Sequence, residues 1–211
     1  MILTVGSTKG GVGKTMLAIN IAIARSIAGS DVLLIDGDEQ ATALTFTELR
    51  DEQMGKTGYT SVALFGSAIR TQVRQLAPKY HDIVIDVGGR DTGSLRAALT
   101  VTETLLVPVQ PRSFDIWAVD QVANLVREAR EINPGLRAFA IINAADTQGR
   151  DNQDAAEALQ DIPEIEFLSQ AIRRRKSFPN AASSGKSVLE HVPRDGKAID
   201  ELQALLNVIY N

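Results

Sequence analysis

Two lysines, Lys9 and Lys14, bracket the run Lys9-Gly10-Gly11-Val12-Gly13-Lys14-Thr15 near the start of this 211-residue chain. Residues of these types at this spacing hold phosphate. Glycines let backbone N–H groups turn inward around phosphate oxygens, and the N-terminus of a following helix adds its partial positive charge. In such a loop Lys14 neutralises the outer phosphates of a nucleotide, and the Thr15 hydroxyl holds Mg²⁺. The ordinary spacing, G-x-x-x-x-G-K-[ST], places a glycine at position 8. This chain has Thr8 there, and a second lysine, Lys9, ahead of a glycine pair.

A loop of this kind works only between a strand and a helix, and the flanking residues supply both. An apolar run precedes it, and Met16 to Ala22 continue as an amphipathic helix. Farther on, short apolar runs alternate with helical spacing. Strands are expected at Ile2–Gly6, Val32–Asp36, Ser61–Phe65, Ile83–Val87, Thr104–Val109 and Ala138–Asn143. Helices are expected at Lys14–Ala28, Ser67–Leu76 and Asp115–Ile132, the last with Val119, Val122, Val126 and Ala129 on one stripe. Alternating β and α with continuous apolar strands implies one doubly wound α/β domain over residues 1–211, a mostly parallel sheet with helices on both faces. With 44% hydrophobic residues the chain can bury one core, and no internal repeat or linker divides it.

Ligands of such sheets lie at the carboxyl ends of the strands, where three carboxylates stand. Asp36 and Asp38, two residues apart in Ile35-Asp36-Gly37-Asp38-Glu39-Gln40, leave the second strand toward one edge and are placed to serve a metal or a water molecule. Asp86 closes Ile83-Val84-Ile85, the position of a carboxylate that meets Mg²⁺ through water. Gly88 and Gly89 after it leave room for that loop to approach a terminal phosphate and to move when it departs.

Lys9 ahead of Gly10-Gly11, the D-x-D-x-Q segment and the Pro108-Val109-Gln110-Pro111 segment together resemble the ParA/MinD ATPases, whose deviant phosphate loop carries an extra lysine. Ile172-Arg173-Arg174-Arg175 followed by Ala181 and Gly185 resembles the ParA branch, so the likeness runs from residue 2 to about residue 190. It implies a nucleotide site of Lys9, Gly10, Gly11, Val12, Gly13, Lys14, Thr15 and Met16. Pro108, Pro111 and Asn143 would stand near the base, and Arg174 at the nucleotide or the dimer interface. It implies Mg²⁺ held by Thr15 and supported by Asp36 and Asp86. Lys9, Lys14 and Asp38 would act in hydrolysis, Asp38 on the attacking water. Two departures stand out: Met16 where relatives have Ser or Thr, and Glu39 where they have Pro.

The implied activity is an ATP-driven switch. Two copies sandwich ATP with each Lys9 crossing to the other, the dimer binds nonspecific double-stranded DNA, and a ParB-like or cargo-adaptor partner stimulates slow hydrolysis. The output would be partition of a plasmid or chromosome, or positioning of another cargo, in the cytoplasm on the nucleoid. Charge agrees: the chain nets −4, yet residues 172–197 net +5 through Arg173, Arg174, Arg175, Lys176, Lys186, Arg194 and Lys197 against Glu190 and Asp195. A basic segment on an acidic body is a local polyanion site, or else an internal partner for the acidic surface. Arg173, Arg175, Lys176, Lys186, Arg194 and Lys197 are the DNA-contact candidates.

Zero cysteines exclude thiolate metal sites and cysteine nucleophiles. They also set aside relatives such as the nitrogenase iron protein and the arsenite pump ATPase. No leader or membrane span is expected. The last helix, Ala198–Tyr210, carries acidic and amide residues on its polar face, unlike a membrane-targeting helix. Two other roles remain compatible with the loop: a nucleotide-binding scaffold with little turnover, and a ligase resembling dethiobiotin synthetase.

Overall fold

The computed structural model describes residues 1–89, 92–111, 113–148 and 150–210, with the backbone alone for residues 92 and 113–116. The apolar runs form β1 (Ile2–Val5), β2 (Val32–Gly37), β3 (Thr60–Ala63), β4 (Asp82–Val87), β5 (Thr104–Val109) and β6 (Arg137–Ala145), joined by the two-residue β7 (Glu166–Phe167) and β8 (Ile172–Arg173). They make one sheet in the order β3-β2-β4-β1-β5-β6-β7, with β8 also paired to β6, and every pair runs parallel. Between the strands lie α1 (Lys14–Ile27), α2 (Thr42–Met54), α3 (Ser67–Leu76), α4 (Thr92–Leu99), α5 (Ser113–Arg130) and α6 (Asp151–Gln160). The chain ends in α7 (Ser177–Ala182) and α8 (Gly196–Tyr210).

Strand residues alternate between two cores, as the period of two requires. Leu34, Val84, Leu106 and Ile141 pack with α1, α2, α7 and α8. Leu33, Ile35, Ile83, Ile85, Val107 and Ile142 pack with α3, α4, α5 and α6. The expected stripe of α5, Val119, Val122, Val126 and Ala129, is buried. From central β1 the chain passes to β2 and the edge strand β3, returns to lay β4 between β2 and β1, and then crosses to β5 and β6 on the other side, so the loop after β1 opens at a switch point.

Element ends depart from expectation where local chemistry decides. The edge strand stops at Ala63, two residues before Phe65, because the chain turns through Gly66 (φ 53°) into α3. The last helix begins at Gly196 because the Asp195 carboxylate accepts the Ala198 N–H (3.1 Å) and caps its first turn.

Candidate functional site

Residues 6–13 leave β1 and wrap the N-terminus of α1. Three neighbours hold the loop from behind. Thr8 Oγ1 donates to the Ala118 carbonyl (3.2 Å), Gln110 Nε2 to the Gly11 carbonyl (2.8 Å) and Asn143 Nδ2 to the Val12 carbonyl (2.7 Å). Gly13 lies at φ 90°, and a Cβ there would come within 2.2 Å of Asn143 Nδ2. Only glycine meets both demands. The front of the loop faces open space: Gly10 and Gly11 are exposed, with nothing within 4 Å of where their Cβ atoms would be.

Lys14 begins α1 and is 7% exposed, its Nζ donating to the Lys9 carbonyl (2.8 Å). Burial lowers its pKa, partly offset by Asp86 and then Asp38. A desolvated ammonium held by one carbonyl gains strongly from an arriving anion.

Asp36 on β2 is paired in register with Asp86 on β4, and Asp86 with Val5 on β1, so both acids stand at the level where the loop departs. Their surroundings then diverge. The Asp36 oxygens accept the Asp38 N–H (3.1 Å) and the Leu44 N–H (3.0 Å), fixing the turn into α2. Burial raises its pKa, and those amides oppose the shift. Both Asp86 oxygens are buried with no hydrogen-bond partner. Burial pushes the Asp86 carboxyl up to about 7; the Thr15 hydroxyl offsets part of this without closing to a hydrogen bond.

Two glycines after β4 complete the site. A Cβ on Gly88 would lie 3.0 Å from Asp38 Cγ, and one on Gly89 would lie 2.6 Å from the Lys9 carbonyl oxygen. A side chain at Gly89 would push the segment off the phosphate loop, and one at Gly88 would crowd the Asp38 carboxylate. The resulting cavity of about 880 Å³ is lined by Gly10, Gly11, Gly13, Lys14, Thr15, Met16, Asp38, Glu39, Gln40, Thr42, Gly88 and Gly89. Its size suits a nucleotide.

The donors fit Mg²⁺ that arrives with phosphate. Among the described residues no group of three or more His, Asp or Glu side chains forms a metal cage. Mg²⁺ keeps several waters and takes one or two carboxylates plus substrate phosphates rather than such a cage. The unpartnered Asp86 oxygens beside the Thr15 hydroxyl are what such a hydrated ion needs.

The CobQ/CobB/MinD/ParA nucleotide-binding domain family matches residues 3–188. The chain belongs to that family. Among its ParA/MinD-type relatives, the Maintenance of carboxysome distribution protein A of Halothiobacillus neapolitanus is 26% identical over 98% of this chain and 95% of its own length. The chromosome-partitioning ATPase Soj of Thermus thermophilus is 27% identical over 90% of this chain and 88% of its own. The fold superposes on an ATP complex of Cyanothece McdA with a TM-score of 0.81 at 15% identity, covering 99% of this chain and 95% of that one. MinD of Aquifex aeolicus gives 0.74 at 22% identity, covering 98% and 96%.

Within this ParA/MinD-type fold the other sequence-derived candidates divide. Asn143 lies directly behind the phosphate loop, its amide oxygen buried and unpartnered. Pro108 and Pro111 are buried around the turn that carries Gln110, outside the cavity lining. Arg174 is exposed and ion-paired with Asp146 (3.6 Å), also outside that lining. Arg175 pairs with Glu201 (2.5 Å) and Asp195 (4.0 Å), and Arg173 with Glu201 (3.8 Å). Part of the basic segment therefore serves as an internal partner for acidic residues. Among the described residues, the side chains of Lys176, Lys186, Arg194 and Lys197 form no ion pair within 4.0 Å. Sequence reasoning named Gln40 and Gln110 only as members of the D-x-D-x-Q and Pro-Val-Gln-Pro segments, without a role, and missed Thr42, which carries no spacing signal. It also missed Ala41 and Ala144, which take positive φ (51° and 52°) beside Asp38 and Asn143.

Proposed function

We propose that residues 1–211 form one ParA-type ATPase domain, a cytoplasmic ATP-driven switch that dimerises, binds nonspecific DNA with ATP and positions a cargo. The observation that carries this is the cavity that joins Lys14, Thr15, Asp38 and the Gly88-Gly89 turn, with the buried, unpartnered Asp86 beside the Thr15 hydroxyl. The names of the relatives favour a chromosome or a protein assembly as cargo, and a plasmid partition protein among the structural neighbours adds a plasmid; an adaptor protein would be the stimulating partner.

ATP is the substrate and Mg²⁺ the metal, supplying charge neutralisation on the outer phosphates when bound. The Thr15 hydroxyl would hold the ion, and Asp86 would support its hydration shell. Lys14 exchanges the Lys9 carbonyl for a phosphate oxygen. Asp38, kept against Gly88, orients the attacking water, and Lys9 of a second copy enters over the open glycine face to offset charge developing in transfer. Its crossing relieves phosphate repulsion only with ATP, which makes association a readout of nucleotide state.

For DNA, Lys176, Arg194 and Lys197 are the first contacts, joined by Lys186, which also faces Glu190, with Arg173 and Arg175 weakened by Glu201. About four phosphate contacts per copy, doubled in a dimer, would steepen the log–log salt slope from about −4 to about −7. The test is binding to a random-sequence duplex with ATP, with ADP and without nucleotide at two salt concentrations. Salt-sensitive binding only with ATP supports the switch. Intact ATP binding without DNA binding in any state sinks the DNA-carrier reading and leaves a scaffold or a ligase.

A further inference from the structure

Arg50 is charged and yet 5% exposed, eight residues into the helix that starts at the phosphate site. Its guanidinium is almost saturated. Nε donates to the Thr57 carbonyl (2.6 Å), Nη1 to the Gly185 carbonyl and Glu190 Oε2 (both 2.8 Å), and Nη2 to Glu190 Oε1 (2.8 Å). Backbone contact reinforces the latch: a Cβ on Gly185 would lie 2.6 Å from Arg50 Cα, so the 185–190 segment lies directly on α2.

The same segment is tied to the other helix that starts at the cavity. Asn20 on α1 accepts the Val188 N–H through Oδ1 (3.0 Å), and its Nδ2 donates to the Met16 carbonyl (2.8 Å). Residues 185–190 thus span α1, which begins at Lys14, and α2, whose first turn is pinned to Asp36 through Leu44. Lys186 lies within this segment, and Arg194 and Lys197 follow it.

We propose that Arg50 and Glu190 are positioning residues that carry the relative placement of α1 and α2, and with it the nucleotide state, to the cationic segment 186–197. An apolar side chain of similar volume would bury α2 as well or better, because a buried ion pair is a weak source of stability. What the bidentate pair adds is a fixed register between α2 and a segment some 140 positions away in sequence. This rests on reading the cavity as an ATP site and supplies the link from that site to the surface proposed for DNA.

The experiment is hydrogen exchange on the full chain with Mg²⁺ and either ADP or AMPPNP, for wild type and for Glu190→Gln, which keeps shape and one acceptor but removes the charge. In wild type, exchange over 185–197 should differ between the two nucleotides by roughly 5-fold or more. In Glu190→Gln that ratio should fall below about 2-fold while nucleotide affinity changes by less than about 3-fold. Arg50→Lys, which keeps the charge and loses the fork, provides a second variant with the same expected loss. A purely structural latch would speed exchange equally with both nucleotides and leave the ratio intact, which overturns the proposal, as does a wild type with no nucleotide-dependent difference. A ratio lost in the variants of a chain that binds no DNA supports the latch and removes only the DNA reading. Failure to bind either nucleotide overturns both.

Discussion

Replacing Asp86 with asparagine should stabilise the nucleotide-free protein at neutral pH while abolishing Mg²⁺-dependent nucleotide binding. The Asp86 carboxyl is buried with neither oxygen hydrogen-bonded, and its pKa is pushed from 3.8 to about 7. Within that interval the folded protein keeps a proton that the unfolded chain has released, so stability falls as pH rises, by about 1.4 kcal/mol per pH unit. The penalty is absent below the unfolded value and complete above about pH 7. Its full size is about 4 kcal/mol, of which roughly 2 kcal/mol accrues between pH 5 and pH 7. The isosteric amide cannot ionise and escapes this loss.

The assay is urea denaturation of both proteins at half-unit steps from pH 5 to pH 8, in EDTA and without nucleotide. Comparing the two removes the contribution of titrating groups other than Lys14, Asp36 and Asp38, which interact with Asp86. The stability of wild type relative to Asp86→Asn should drop by roughly 2 kcal/mol between pH 5 and pH 7, or about 4–8 °C in midpoint temperature. Adding Mg²⁺ and AMPPNP should restore wild type by mass action and leave the variant unmoved. A gap that stays constant with pH, or widens in favour of wild type as pH rises, would refute the picture of an uncompensated buried carboxylate.

Gly89→Ala puts a methyl group 2.6 Å from the Lys9 carbonyl oxygen, so nucleotide affinity should fall at least about 10-fold with the fold intact by circular dichroism; unchanged affinity would mean the turn is not packed on the loop. Lys14→Ala should abolish binding of a fluorescent ATP analogue, whereas Lys9→Ala should bind it within about 3-fold and lose dimerisation and turnover, as read by light scattering and phosphate release. Ala144→Gly relieves a left-handed alanine (φ 52°) and should leave stability level or raise it by up to about 1 kcal/mol, while Ala204→Gly on the exposed face of α8 should cost about 1 kcal/mol, both by urea denaturation.

The sheet was legible because parallel strands are covered on both faces and therefore read as unbroken apolar runs, as in Val32–Ile35 and Ile83–Ile85. The edge strand Thr60–Ala63, half exposed, and the two-residue β7 and β8 carry too little pattern for correct bounds or detection. Helix α2 escaped for a related reason: it buries only Ala43, Phe46, Thr47 and Arg50, so its apolar stripe is thin. The strand–loop–helix setting of residues 6–14 was legible because its glycines stand in consecutive residues, two of them, Gly11 and Gly13, at positive φ (76° and 90°). The Arg50–Glu190 pair was not, because nothing local distinguishes a buried arginine in Glu-Leu-Arg-Asp from a surface one.

Asp36 and Asp86 show where sequence spacing stops being informative. Both end a buried strand, stand opposite each other in register and are 1% exposed, so pattern alone gives them the same part. What separates them is the next few residues. After Asp36 the chain turns back, and two of its own amides satisfy the carboxylate, which binds that acid to the shape of the loop carrying Asp38. After Asp86 two glycines carry the chain away toward Lys9 and Asp38, so no local amide returns and the charge stays unpaired. A ligand cation therefore gains far more at Asp86 than at Asp36, because only there does its arrival cancel a standing desolvation cost. The glycines that let this turn approach the phosphate loop are also what leave the Asp86 oxygens without a local amide, which ties the packing of the turn and the affinity of the site to one local choice of residues.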